Sequence, residues 1–264
     1  MARLRLIIAC LAAAPVLASA GAAVAGEAAC WFEGGVVVVP AEVAGIAGDY
    51  ILDTGTAVTT LHDTAAGGAG LDGETAVGAV RLAGLRQDGR SLKIASIDAR
   101  TWNLPTAVAG VIGTDLLRGY VVDVEFSPCR VRLSEPGRAP AFRGRALPLA
   151  WDLDRPVAEA SVSDGGRTLT GPFVIATGAN VPVRLADDLA QAPDAAKPDE
   201  LYPKGVWMAR LPVLRFAGAE ARDLGAGLMK PEGEAAGVIG GPALAGYRLR
   251  FDFPAGRLVV APAR

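Results

Sequence analysis

The clearest alternation of apolar and polar side chains runs from Tyr247 to Phe253, where Tyr247, Leu249, Phe251 and Phe253 take turns with Arg248, Arg250 and Asp252. A period of two puts the two sets on opposite faces of a strand. The run turns through Pro254-Ala255-Gly256 into a second one, Arg257 to Val260, so the pair predicts a hairpin. The same pattern stands earlier in the chain as Tyr120 to Phe126, the turn Ser127-Pro128, and Arg130 to Leu133. Ahead of each hairpin a short helix is expected, and ahead of each helix the same four residues occur, Gly110-Val111-Ile112-Gly113 and Gly237-Val238-Ile239-Gly240. Thr114 and Asp115 are N-cap candidates for the first helix, and Pro242 falls near the first helical position of the second. Aligned without a gap, 110–133 and 237–260 are identical at nine of 24 positions, among them Leu117/Leu244, Gly119/Gly246 and Tyr120/Tyr247.

A second pair of segments lies upstream. Tyr50-Ile51-Leu52-Asp53-Thr54-Gly55 and Phe173-Val174-Ile175-Ala176-Thr177-Gly178 both drive three apolar residues into a tight Thr-Gly turn. The chain is therefore a duplication, each half running from strand and turn through X-Thr-Gly to the Gly-Val-Ile-Gly helix and hairpin. Short strands and glycine-rich turns predict an all-β fold of two lobes, 28–134 and 146–264. The segment 135–145, with Pro136, Gly137, Pro140 and Gly144, reads as the linker.

At the start of the chain, Arg3 and Arg5 precede the apolar run Leu6 to Leu17 and the small-residue sequences Ala18-Ser19-Ala20 and Ala23-Val24-Ala25. That is the plan of a secretory signal peptide over 1–25, cleaved after Ala20 or Ala25, and it predicts an exported, periplasmic or secreted protein. Ile7-Ile8-Ala9-Cys10 also resembles a lipobox, although only a handful of apolar residues precede Cys10. The apolar run is about a dozen residues, too short for a bilayer core about 30 Å thick, and nothing later does better, so the mature form is not expected to span a membrane.

The chain has 264 residues, 51% of them hydrophobic and 20% charged, which is enough to bury a full core. Its net charge of -2 becomes -4 without Arg3 and Arg5, and its basic residues fall singly. No nucleic-acid partner is expected. Cys30 and Cys129 remain after loss of Cys10, either as one disulfide or as two separate thiols. The single histidine, His62, is expected at a strand end, without a catalytic role. With two cysteines it cannot supply a four-ligand structural zinc site without carboxylates, and neither a metal nor an organic cofactor is expected. Trp31, Trp102, Trp151 and Trp207 are expected in the core or the wall of a cleft.

An apolar strand into Asp53-Thr54-Gly55, followed in the same half by Ala109-Gly110-Val111-Ile112-Gly113-Thr114-Asp115-Leu116-Leu117, resembles the aspartic peptidases of the pepsin and retropepsin type. With its duplication the chain is similar to a bacterial bilobal form. The resemblance implies two closed β-barrel lobes related by a pseudo-twofold axis. It also implies a peptide or protein partner bound in extended conformation, a flap hairpin within Glu74 to Lys93, and a monomer more readily than a dimer. Asp53 is the implied catalytic residue. Thr54, Gly55, Thr177 and Gly178 are the implied supports of the two loops, the threonines bonding across the lobe junction.

Such a site needs two carboxyl groups, one ionised to draw a proton from water and one protonated to donate to the scissile carbonyl. The second motif departs here, because Ala176 stands where that carboxyl belongs. Without a like-charged neighbour, Asp53 is expected to titrate near its ordinary value and to be ionised at neutral pH. Three readings follow: hydrolysis through an Asp53-activated water, with an acid borrowed from Asp152, Asp154, Asp187, Asp188 or a second chain; an inactive pseudo-peptidase that binds extended peptides; or an envelope protein whose cleft is unused.

Overall fold

The computed structural model describes residues 26–186, 199–200, 207–229 and 232–263. The signal segment 1–25 and the candidate acids Asp187 and Asp188 lie outside the described residues.

The first half contributes β1 (Gly26–Ala29), β2 (Trp31–Glu33), β3 (Val36–Val43), β4 (Ile46–Leu52), β5 (Thr60–His62), α1 (Asp63–Gly68), β6 (Thr75–Leu82), β7 (Leu85–Ala95), α2 (Asp98–Thr101), β8 (Val108–Ile112), α3 (Thr114–Leu117), β9 (Val121–Phe126) and β10 (Cys129–Ser134). The second contributes β11 (Arg145–Pro148), β12 (Ala150–Asp152), β13 (Arg155–Ser163), β14 (Thr168–Ala176), β15 (Val183–Ala186), β16 (Asp199–Glu200), β17 (Trp207–Phe216), β18 (Ala219–Met229), β19 (Gly237–Gly240), α4 (Gly241–Leu244), β20 (Tyr247–Asp252) and β21 (Arg257–Pro262).

Two sheets close on themselves. In the first, the order β3-β4-β8-β5-β7-β6 returns to β3, and in the second β13-β14-β19-β15-β18-β17 returns to β13, so each is a barrel of six strands. Strand for strand the two rings correspond, which is the structural form of the duplication. Their interiors hold the apolar faces read from the sequence. Val37, Leu52, Leu61, Leu92, Ile112 and Leu117 are buried in one, and Phe173, Ile175, Leu185, Leu214, Ile239 and Leu244 in the other.

Several hairpins turn through two residues that both have positive φ, among them Ala83-Gly84 and the matching Ala217-Gly218. That geometry matches the strand twist, and glycine in the second position holds it without the penalty of about 1–2 kcal/mol that a side chain in this region incurs.

The two repeated hairpins do not stay in their own halves. β9 pairs antiparallel with β20, and the third sheet runs β1-β10-β9-β20-β21-β11 beneath both barrels. Cys30 and Cys129 form a disulfide at the foot of this sheet.

Three expectations need correction. The hairpin within Glu74 to Lys93 does not cover the cleft: β6 and β7 close the first barrel, and the tip, Ala83-Gly84, packs against Gly26. Trp31, Trp102 and Trp151 are exposed rather than core, at 48%, 68% and 39%. Neither Thr114 nor Asp115 caps α3, whose N-cap is Gly113. The Asp115 carboxylate instead accepts from the Thr59 amide and hydroxyl at 3.0 and 2.7 Å, tying the loop before β5 to α3.

Candidate functional site

β4 runs parallel to β8, pairing Leu52 with Ile112, and β14 runs parallel to β19, pairing Ala176 with Gly240. Each parallel pair aims an X-Thr-Gly turn at the junction between the barrels, where the turns interlock. The Thr54 hydroxyl donates to the Ile175 carbonyl at 2.6 Å and accepts from the Thr177 amide at 3.2 Å. The Thr177 hydroxyl donates to the Leu52 carbonyl at 2.6 Å and accepts from the Thr54 amide at 3.2 Å. Both threonines are fully buried, and every polar atom of this reciprocal set has a partner in the opposite half.

The glycines that follow allow the close approach. A Cβ on Gly178 would fall 2.5 Å from the Asp53 Cβ, and one on Gly55 would fall 2.4 Å from the Ala176 Cβ. Position 53 is thus packed on the glycine of the other turn, and position 176 likewise. Asp53 Oδ1 accepts from the Gly55 amide at 2.8 Å and the Gly178 amide at 3.2 Å. Ala176 brings only a methyl group to the matching place.

The other carboxylate oxygen meets a residue that no motif singles out. Arg100, on the short helix α2, donates from Nη2 to Asp53 Oδ2 at 2.5 Å and to the Gly178 carbonyl at 3.0 Å. Its Nη1 donates at 3.0 Å to the Thr56 hydroxyl, which donates to Asp53 Oδ2 at 2.6 Å. Burial pushes the Asp53 carboxyl up, but the charge of Arg100, with the donors Thr56 and Gly55, outweighs it and holds the group below the usual carboxylate range. The expectation of an ordinary value for Asp53 is corrected by this arginine.

Asp53, Thr56, Arg100, Ala176, Arg184 and Glu232 are among the residues around a cavity of about 320 Å³ between the barrels. Asp152 and Asp154 do not line it. Asp152 accepts from the Glu234 and Ala235 amides at 3.0 and 3.2 Å and faces Arg155, while exposed Asp154 pairs with Arg118 at 2.9 Å. His62 ends β5 and caps α1, with Nε2 3.1 Å from Asp98.

The interlocked turns, the two rings of six strands and the sheet beneath them decide the architecture. The fold is that of the bilobal pepsin-like aspartic proteinases. The structure of the aspartic proteinase from Irpex lacteus superposes with a TM-score of 0.54 over 91% of this chain and 98% of that one, at 12% sequence identity. No protein-family model and no curated protein matches the sequence. Within this chain both turns keep their threonine and glycine, and the residue ahead of them differs, Asp53 in one and Ala176 in the other.

Proposed function

We propose that this is an exported protein of the aspartic-peptidase type that binds extended peptides in the cleft between its lobes and does not cleave them. One observation carries the reading: among the described residues, the only carboxylate at the junction of the turns is held by Arg100, opposite the methyl of Ala176. Peptide hydrolysis here needs a base and an acid. Arg100 and Thr56 keep Asp53 ionised and occupy the oxygen that would take a proton from water. Asp152 and Asp154, which the alternative reading would recruit as the acid, are engaged elsewhere. A second chain is not a natural source either, because the turn at Ala176-Thr177-Gly178 already fills the surface that a partner's turn would use. The reading is therefore of a monomer.

Export is supported by the pattern over 1–25 and by the disulfide, which suits an oxidising compartment. No helix among the described residues is long and apolar enough to cross a membrane.

The test is incubation of the mature protein with a mixed peptide library between pH 3 and 7, beside Asp53→Ala and Ala176→Asp. No new termini are expected from the parent. Cleavage by the parent that disappears in Asp53→Ala would overturn the proposal and establish the hydrolase. Calorimetric titration of the same peptides is expected to detect binding by the uncleaving parent.

A further inference from the structure

Among the described residues the charges around the cleft do not balance: Arg100, Arg155 and Arg184 line it, against Asp53 and Glu232. Arg100 is taken by Asp53 at 2.5 Å, and Arg155 by Glu232 at 3.1 Å and Asp152 at 3.3 Å. Arg184 has neither an ion pair nor a hydrogen bond among the described residues.

Its direction is set by β15. Val183 and Leu185 are buried in the second barrel, so the alternation of the strand turns Arg184 to the other side. Its register partner on β19, Val238, lines the same cavity. Arg184 therefore presents an unmatched guanidinium to the cleft, in a chain whose overall charge is negative. The Arg184 side chain is exposed to solvent, yet partial desolvation against the protein and then the nearby positive charge of Arg100 lower its pKa, against a smaller opposite effect of Asp53.

We infer that the cleft takes a ligand carboxylate on Arg184, on the side where Ala176 leaves the second turn without a negative charge. This rests on the proposed peptide-binding reading and narrows it to acidic peptides. A single anionic group matches Arg184, the unmatched cation among the described residues around the cleft. Carboxylate fits the planar fork of guanidinium through two parallel hydrogen bonds, and it relieves the repulsion between Arg184 and Arg100. Peptides supply that chemistry from an acidic side chain or from a free C-terminus.

The experiment is calorimetric titration of the parent, Arg184→Gln and Arg184→Lys with one neutral peptide in three forms: a C-terminal amide, the same amide with a central Glu, and the free acid. A charge-assisted hydrogen bond predicts that the parent binds one acidic form roughly ten- to a hundredfold more tightly than the neutral amide. The preferred form names the source of the carboxylate. Added salt and Arg184→Gln are expected to abolish the preference, and Arg184→Lys to retain part of it. Equal binding of the acidic and neutral peptides overturns the inference and leaves the peptide cleft standing, as does a preference that survives in Arg184→Gln.

If no form binds, the peptide reading fails, and glutarate then decides the inference separately. Glutarate should raise the melting temperature of the parent and not that of Arg184→Gln. An equal or absent rise overturns it.

Discussion

Asp123 and Arg250 are register partners on β9 and β20, the strands by which the two halves of the chain meet, and they bond as a fork: Nε to Oδ1 at 2.6 Å and Nη2 to Oδ2 at 2.7 Å. Both are buried. The remaining Nη1 of Arg250 donates to the Pro140 carbonyl at 2.7 Å, and the guanidinium lies 4.8 Å from the Phe142 ring, so one arginine secures both the sheet and the segment that leads from one half to the other. Removal of one partner leaves a buried charge uncompensated. Asp123→Asn is expected to cost about 3–5 kcal/mol in urea denaturation, and the double replacement Asp123→Leu/Arg250→Leu less than that single change. A double variant less stable than Asp123→Asn would contradict this.

The pairing of Arg100 with Asp53 predicts a dependence on pH. In the parent, Asp53 has a lowered pKa in the folded state, so its contribution to stability is complete above the ordinary carboxylate value and is lost as pH falls through the folded one. In Arg100→Met the dominant influence left is burial, which raises the folded pKa and turns the contribution into a penalty at neutral pH. The variant is expected to be less stable than the parent by about 1–3 kcal/mol at pH 7 and to approach it at pH 4. Urea midpoints at both values measure the gap, and a gap of constant size would show that Arg100 acts through packing alone.

The reciprocal threonines predict coupling. Thr54→Val and Thr177→Val should each cost about 1–3 kcal/mol, since each strands a buried carbonyl and a buried amide in the other half. The groups stranded by the two changes are different, so the double variant should cost less than the sum because loosening one turn already releases the other from its fixed place. Simple additivity in a double-mutant cycle would mean that the two turns do not depend on each other.

Two glycines of the second half separate a constraint from a coincidence. Gly178→Ala would set its Cβ 2.5 Å from the Asp53 Cβ, whereas Gly246→Ala meets no atom within 4 Å. The first is expected to destabilise by about 1–3 kcal/mol, the second to change stability by about 0.5 kcal/mol or less. Thermal melts of the two single variants are sufficient to compare them.

Much of this site is legible in the sequence, because its skeleton is local. Three apolar residues running into Thr54-Gly55 and Thr177-Gly178 mark strand ends, and the identical Gly-Val-Ile-Gly segments mark the strands beside them. What stayed hidden depends on distance along the chain. Arg100 sits in a four-residue helix with no motif around it, and its importance comes from a turn 47 residues earlier. Arg184 was similarly silent, one polar residue in a short strand. The hairpins are recognisable as hairpins, but nothing in either specifies that its first strand pairs with the first strand of the other, since the partners Asp123 and Arg250 are separated by 127 positions. The Glu74 to Lys93 hairpin was misplaced for a related reason: the contact that decides where its tip goes is with Gly26.

The sheet beneath the barrels also determines how the cleft can move. Its six strands come in order from the start of the chain, the first hairpin, the second hairpin and the segment 145–148, so the two halves join edge to edge where β9 pairs with β20. Sliding the halves past each other by one residue would turn every inward side chain of β9 and β20 outward, and the fork between Asp123 and Arg250 forbids it. With the register fixed, the halves can part only by bending across β9 and β20, and the interlocked Thr54 and Thr177 turns together with the bond from Arg100 to the Gly178 carbonyl resist that bending.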